Sequence, residues 1–226
     1  MIIKKKLWPL LVFVGIELVL YALILTTTGN ALVCSEYISI IACFLFSLLY
    51  VSKGNWLIVC GLGFTVLADL CLVVLQPIQQ LYGMVFFLLA QSCYAFLLHK
   101  QNRNRALLYI RLGLVVAVEC VAVAVLREKT DPLAMVSMCY YVNLVMNLVM
   151  AFARFRENKL LALGFVLFLL CDTVIGLQTA AGAYLPIAEG SLLYRIIFMN
   201  FHLSWFFYLP SQVLIAIYGK KLLKRG

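Results

Sequence analysis

Glu17, Asp69, Glu119 and Asp172 are four of the nine acidic residues of this chain, and each sits in a long apolar stretch. A carboxylate in hydrocarbon costs several kcal/mol unless it is paired, protonated or turned toward a polar cavity. Acids so placed are candidates for proton chemistry: delivering a proton, steadying a developing cation, or passing protons across a membrane. Their spacing is regular, with 52 residues from Glu17 to Asp69 and 53 from Glu119 to Asp172. The local wording also repeats, Ala68-Asp69-Leu70-Cys71-Leu72 against Cys171-Asp172-Thr173-Val174-Ile175, each behind a glycine-bearing segment.

Other polar residues accompany them. Gln91 and Tyr94 fall on one helical face, as do Asn143 and Asn147, and Thr65, Asp69, Leu72 and Gln76 form a stripe at helical spacing. His202 is the one histidine that falls inside an apolar run near these acids. Polar stripes on several helices imply a shared interior cavity. The plain alternative is that Asn, Gln, Glu17 and Glu119 bridge neighbouring helices, and that His202 is a packed side chain.

The elements that must hold these groups follow from composition. The chain has 226 residues, 65% of them hydrophobic and 12% charged, with a mean hydropathy of +1.06. Soluble domains hold about 45–50% apolar and about 25% charged residues. A single soluble domain is therefore excluded. A crossing helix needs about 20 apolar residues, and eight stretches qualify: Trp8–Leu25, Tyr37–Val51, Trp56–Leu75, Tyr82–Leu98, Leu107–Leu126, Pro132–Phe152, Leu160–Thr179 and Ile196–Tyr218. The expected fold is an all-α, polytopic membrane bundle of eight transmembrane helices in a single domain, 1–226. Its halves, 1–104 and 105–226, read as two parallel four-helix repeats.

The net charge of +9 does not point to nucleic acid. With a cytoplasmic N-terminus, Lys4, Lys5, Lys6, Lys53, Lys100, Arg103, Arg105, Arg111, Arg154, Arg156, Lys159, Lys220, Lys221, Lys224 and Arg225 fall on the inner side. Only Arg127, Lys129 and Arg195 fall outside. That bias predicts a multi-pass protein of the cell membrane with both termini cytoplasmic. The N-terminal run resembles a signal peptide, but Glu17 interrupts it and no small-residue cleavage site follows. It reads as an uncleaved span. All four carboxyls then lie about 10 Å below the outer boundary. The eight cysteines include no CxxC pair, and all but Cys34 fall within the expected spans, so neither a disulfide framework nor a metal site is expected, and no cofactor.

The segment Cys60-Gly61-Leu62-Gly63-Phe64-Thr65-Val66-Leu67-Ala68-Asp69-Leu70-Cys71-Leu72 is followed by Tyr82-Gly83-Met84-Val85-Phe86-Phe87-Leu88-Leu89-Ala90-Gln91-Ser92-Cys93-Tyr94. Together they resemble the YhhN-like family of eight-span membrane proteins, which includes the lysoplasmalogenases. That family shows G-L-x-x-S-x-x-G-D-x-x-L and then G-x-x-x-F-x-x-x-H-x-x-Y. Leu169-Leu170-Cys171-Asp172-Thr173-Val174-Ile175-Gly176 resembles its apolar-S-D-x-x-L-A core. Tyr208-Leu209-Pro210-Ser211-Gln212-Val213-Leu214-Ile215 resembles its Y-x-x-A-Q-x-L-I segment. The chain departs from the pattern at Ala68 (glycine in the family), Gln91 (usually histidine) and Cys171 (a small hydroxyl residue).

The resemblance implies hydrolysis of the vinyl-ether bond of lysoplasmalogens to a fatty aldehyde and glycerophospho-ethanolamine or -choline. Asp69 and Asp172 would be catalytic. Gln91, Tyr94, His202, Tyr208 and Gln212 would contact the lysophospholipid or its water, with Glu17, Glu119, Asn143 and Asn147 as supports. The chemistry suits two carboxyls, one protonated and one charged, as in glycoside cleavage. Membrane lipids are the expected partners, and no nucleic acid. Two other readings stay open: a proton-coupled small-molecule transporter, and a lipid-binding membrane protein without catalysis.

Overall fold

The computed structural model describes residues 2–50, 55–102, 104–127, 131–183, 188, 190–199 and 202–219. Among them every regular element is helical: α1 (Ile2–Thr26), α2 (Gly29–Tyr50), α3 (Trp56–Asp69), α4 (Gln80–Asn102), α5 (Arg105–Leu126), α6 (Pro132–Ala153), α7 (Phe155–Ala183), α8 (Leu192–Ile197) and α9 (Leu203–Gly219). Seven helical spans are long and apolar enough to cross a membrane: α1, α2, α4, α5, α6, α7, and α3 taken together with the turn that continues it to Val74; α9 is a shorter apolar helix of 17 residues. The chain is thus an all-α, multi-pass integral membrane protein.

The expected last span, Ile196–Tyr218, is not one helix. It is divided into α8 and α9, with His202 placed just ahead of α9 rather than inside it. The second span starts at Gly29 and not at Tyr37, which brings Cys34 and Glu36 into α2. Gly29 has φ +63°, a conformation that side-chain-bearing residues rarely adopt, and it lets α2 begin three residues after α1 ends. The hydroxyls of Thr26 and Thr27 close α1 by donating to the carbonyls of Ala22 and Leu23, both at 2.7 Å. Asn104 caps α5 through Ala106 N–H at 2.9 Å, and Asp131 caps α6 through Ala134 N–H at 2.6 Å, with Pro132 at the tolerated first position.

Among the described residues α1 packs chiefly on α2 and α9, whereas α5 packs chiefly on α6. Both show leucine and valine faces outward, as a bilayer requires. The core is built from α3 on α4, α4 on α6, α6 on α7, and α7 on α9. At one end of the bundle three side chains close a ring of bonds. Tyr218 donates to Asn158 Oδ1 at 2.7 Å, Asn158 donates to Gln101 Oε1 at 3.0 Å, and Gln101 Nε2 donates back to Tyr218 at 2.9 Å. This ring ties α4, α7 and α9 where α7 bends at Asn158, and where water is scarce such closed networks hold helices firmly.

α3 does not run on as an α-helix. Directly after Asp69, Leu70–Val74 forms a π-helical turn in which Leu75 N–H donates to Leu70 O at 3.0 Å. Such widened turns often sit at functional sites. They also explain why Gln76, expected on the Asp69 stripe, is exposed beyond the helix.

Gly61 lets α3 and α4 approach, because a Cβ there would overlap the fully buried ring of Tyr94. Gly61→Ala should therefore destabilise the bundle by about 1–3 kcal/mol, as overpacked cores do. Gly113 has open space around its Cβ position, so Gly113→Ala should be neutral or raise stability by up to about 1 kcal/mol. Thermal unfolding of the two variants in one detergent checks the contrast, and equal melting temperatures would contradict this packing.

Candidate functional site

Asp69 closes the regular part of α3 and is 3% exposed. Its Oδ2 accepts from the hydroxyl of Tyr208 on α9 at 2.7 Å. Asp172, on α7, is half-buried, and its Oδ2 accepts from the hydroxyl of Tyr140 on α6. A phenol that donates to a carboxylate oxygen holds that carboxyl in one orientation and leaves its other oxygen available.

The two phenols are held by the same two rings. Phe87 of α4 lies 5.8 Å from the Tyr140 ring and 6.2 Å from the Tyr208 ring. Phe168 of α7 lies 6.5 Å and 5.5 Å from them, both edge-on. Trp205 packs edge-on against Tyr208 at 5.0 Å. Edge-to-face pairs at these distances add about 0.5–1.5 kcal/mol each beyond their buried area. Four helices thus place two carboxyls through one aromatic box.

Both aspartates line one cavity of about 110 Å³, with Leu72, Val73, Phe87, Cys171, Ile175, Ser204, Trp205 and Tyr208. That is room for several waters or for a short segment of a larger molecule, and the cavity is half-open to its surroundings. Its walls are mostly apolar, and the residues on them that carry polar groups are Asp69, Asp172, Tyr208, Ser204, Trp205 and Cys171.

Glu36 is a further acid of this region that the expected span boundary placed in a loop. It is buried on α2, seven residues inside the helix, and its charge also reaches Asp69. Glu17 on α1 is buried and accepts from the Cys43 thiol at 3.5 Å, and Cys43 in turn lies within electrostatic reach of Asp69. Glu119 is half-buried on α5 with its Oε2 unpartnered. It stands apart from the cavity, as Glu17 does.

The other expected contacts divide. Tyr208 lines the cavity, while Gln91, Tyr94 and Gln212 are fully buried and do not. Gln91 lies one helical turn beyond Phe87 on α4, and Gln212 one turn beyond Tyr208 on α9. His202 precedes α9 and is half-buried; its near neighbours Ser204 and Trp205 take the places on the wall.

Gln91 belongs to a second polar group. Arg111 of α5 donates from Nη2 to Asn147 Oδ1 at 2.8 Å and from Nη1 to Asn143 Oδ1 at 3.1 Å. Asn147 Nδ2 donates to Gln91 Oε1 at 2.9 Å and to Gln91 O at 2.8 Å. Because a guanidinium only donates, it fixes both amides: Asn147 must turn its oxygen to Arg111 and its nitrogen to Gln91. Gln91 Nε2 is left as a buried donor without an acceptor among the described residues. Arg111, counted from sequence among the cations of the inner side, is buried and bonds across to α6.

Tyr140 and Ser204 were not singled out in sequence, although both had a signal. Tyr140 precedes Asn143 and Asn147 by three and seven residues, on the same helical face. Ser204 lies two residues after His202.

No curated protein and no solved structure matches the chain. The model of the YhhN family matches residues 31–218. That span contains both aspartates, both tyrosines, the phenylalanine pair and the cavity they enclose, and it is most of the sequence: the chain belongs to the YhhN family.

Proposed function

We propose that this protein is a lysoplasmalogenase-type hydrolase that cleaves the vinyl-ether bond of lysoplasmalogens to a fatty aldehyde and glycerophospho-ethanolamine or -choline. The observation that carries this reading is the pair Asp69 and Asp172 on one small apolar cavity, each held by its own tyrosine. Membership of the YhhN family supports the same class of chemistry.

The reaction needs an acid and a counter-charge. One carboxyl delivers its proton to the alkenyl carbon that lies β to the ether oxygen, and the adjacent carbon becomes an oxocarbenium centre. The other carboxylate steadies that cation, as the second carboxylate does in glycoside cleavage. Trp205 and Phe87 add aromatic rings to the wall beside the cation. Water then adds to the cationic carbon, and its proton returns to the carboxylate that acted as acid. The hemiacetal collapses by breaking its bond to the glycerol oxygen, which takes up the proton. Water has entered the aldehyde, and the glycerol hydroxyl is restored. A cavity of this size takes the alkenyl ether and a water, and the rest of the alkyl chain stays in the membrane.

The reading extends to topology. We place α9 as an eighth crossing, with both termini cytoplasmic and the Gln76–Gln80 loop outside. A membrane-impermeant thiol reagent should then reach a cysteine introduced at Gln79 in intact cells, and should miss one introduced in the C-terminal tail. Equal labelling of the two would end this topology.

Activity follows from aldehyde release, measured by mass spectrometry with purified protein and alkenyl lysophosphatidylethanolamine. Asp69→Asn and Asp172→Asn should each lower turnover by at least about 10²-fold while the protein stays folded, since an amide neither delivers the proton nor carries the counter-charge. Folded Asn variants at wild-type rate would falsify the assignment. A wild type that releases no aldehyde, yet moves protons in vesicles, would replace it with a transporter.

Tyr140→Phe and Tyr208→Phe test the holding bonds separately. Each removes the hydrogen bond that orients one carboxyl, worth about 0.5–1.5 kcal/mol at the protonated one and about 1.5–3 kcal/mol at the charged one, and retains the ring that packs on Phe87 and Phe168. Turnover should fall by roughly 2- to 10-fold in one variant and roughly 10- to 100-fold in the other, with little change in melting temperature. Unchanged turnover in both would show that the tyrosines do not set the carboxyls.

A further inference from the structure

Arg111 has no place in the hydrolysis proposed above. It lies six residues beyond Arg105, about 9 Å along α5, and is 7% exposed. Its partners are all neutral: the amide oxygens of Asn143 and Asn147, and the thioether of Met150 at 3.2 Å. These take three of the five guanidinium N–H donors. Among the described residues no carboxylate pairs with it; the ion pair found there joins Arg154 and Glu157 on the next hairpin. A positive charge at this depth without a counter-charge is strongly unfavourable. The two amides orient the guanidinium but supply no negative charge.

Where that charge can be met is set by the packing. Among the described residues α5 packs chiefly on α6, so the outer face of α5 beside the buried Arg111 is open to the bilayer. Leu108 and Leu112, one turn and one residue away, are exposed there. The end of the bundle nearest Arg111 also carries the exposed cations Lys100, Arg105, Arg156 and Lys159, with Glu157 as the acid among the described residues. Such an end concentrates anionic headgroups, and a guanidinium suits a phosphate through several donors at once.

We propose that Arg111 is the receptor for the phosphate of an anionic phospholipid that lies along the α5–α6 seam. The phosphate supplies the missing counter-charge and takes the spare donors, and the acyl chains cover the exposed leucines of α5. The lipid is a bound partner of the fold and not the hydrolysed substrate.

The test uses the full chain in dodecyl maltoside, with native mass spectrometry for retained phospholipid and melting temperature as the second readout. Phosphatidylglycerol, diacylglycerol and inorganic phosphate are added in separate arms. The wild type should retain one phospholipid per chain and be stabilised by phosphatidylglycerol but not by diacylglycerol. Arg111→Gln should lose both effects, whereas Arg156→Gln, at an exposed cation of the same end, should keep them. Should Arg111→Gln fail to fold, Arg111→Lys keeps the charge without the fork, and its affinity for phosphatidylglycerol should fall by at least about tenfold.

Full retention and stabilisation in the Arg111 variant that folds would overturn the proposal. Stabilisation of the wild type by inorganic phosphate alone, equal to that by the lipid, would overturn the lipid as source and leave a small-anion site. Aldehyde release enters neither readout, so this proposal and the hydrolase reading fail separately.

Discussion

A carboxyl inside a membrane bundle must be given a hydrogen-bond partner by the protein, because the surrounding lipid offers none. The structure meets this need twice in the same way, with a tyrosine hydroxyl on each aspartate. Much of the core is arranged around that requirement. The phenols have to come from helices other than those that carry the acids, so α3 is bound to α9 and α6 to α7. Phe87 and Phe168 fill the space between the two phenols and make the separation of the carboxyls a property of ring packing. A residue lost from this box would disturb both acids at once.

The opposite end of the bundle works by different means. There the Gln101–Asn158–Tyr218 ring and the Arg111–Asn147–Gln91 chain satisfy their groups mostly with one another. The first is closed and neutral. The second begins with a charge, and its donors run in one direction until they end on Gln91 Nε2. Gln91 stands where the resembled family usually has histidine. A side chain there that could both accept and donate would end the chain differently from an amide whose oxygen is already taken.

Much of this was legible in the sequence. The membrane character follows from hydropathy, and Asp69 and Asp172 stand out because an acid in an apolar run is costly wherever it points. Three features were not legible, each for a physical reason. Glu36 was lost because a window scored on hydropathy starts a span after the last charge, while the helix itself starts at Gly29. Tyr140 was lost because a tyrosine in an apolar segment scores as a packing residue, and only the partner across the bundle shows that its hydroxyl is used. The burial of Arg111 was not legible because a positive-inside count assigns a cation to a side of the membrane and does not ask which face of the helix carries it. The break between α8 and α9 had a weak sign in Asn200 and His202, which interrupt an otherwise aromatic run.

The widened turn after Asp69 carries one more meaning. A π-helical turn is equivalent to one residue inserted in a regular helix, and each residue advances the helix by about 100°. The turn therefore acts as a phase shifter between two parts of the third crossing. Upstream, Thr65 and Asp69 keep the angular position that faces the protein interior. Downstream, Leu72 and Val73 still reach the cavity wall, while Val74 and Leu75 are turned out to lipid. Removing one residue from Leu70–Val74 would preserve the composition, the hydropathy and nearly the length of this crossing. It would nevertheless put the acid and the wall beside it out of register, so alignments of related chains should tolerate substitutions here far better than single-residue gaps.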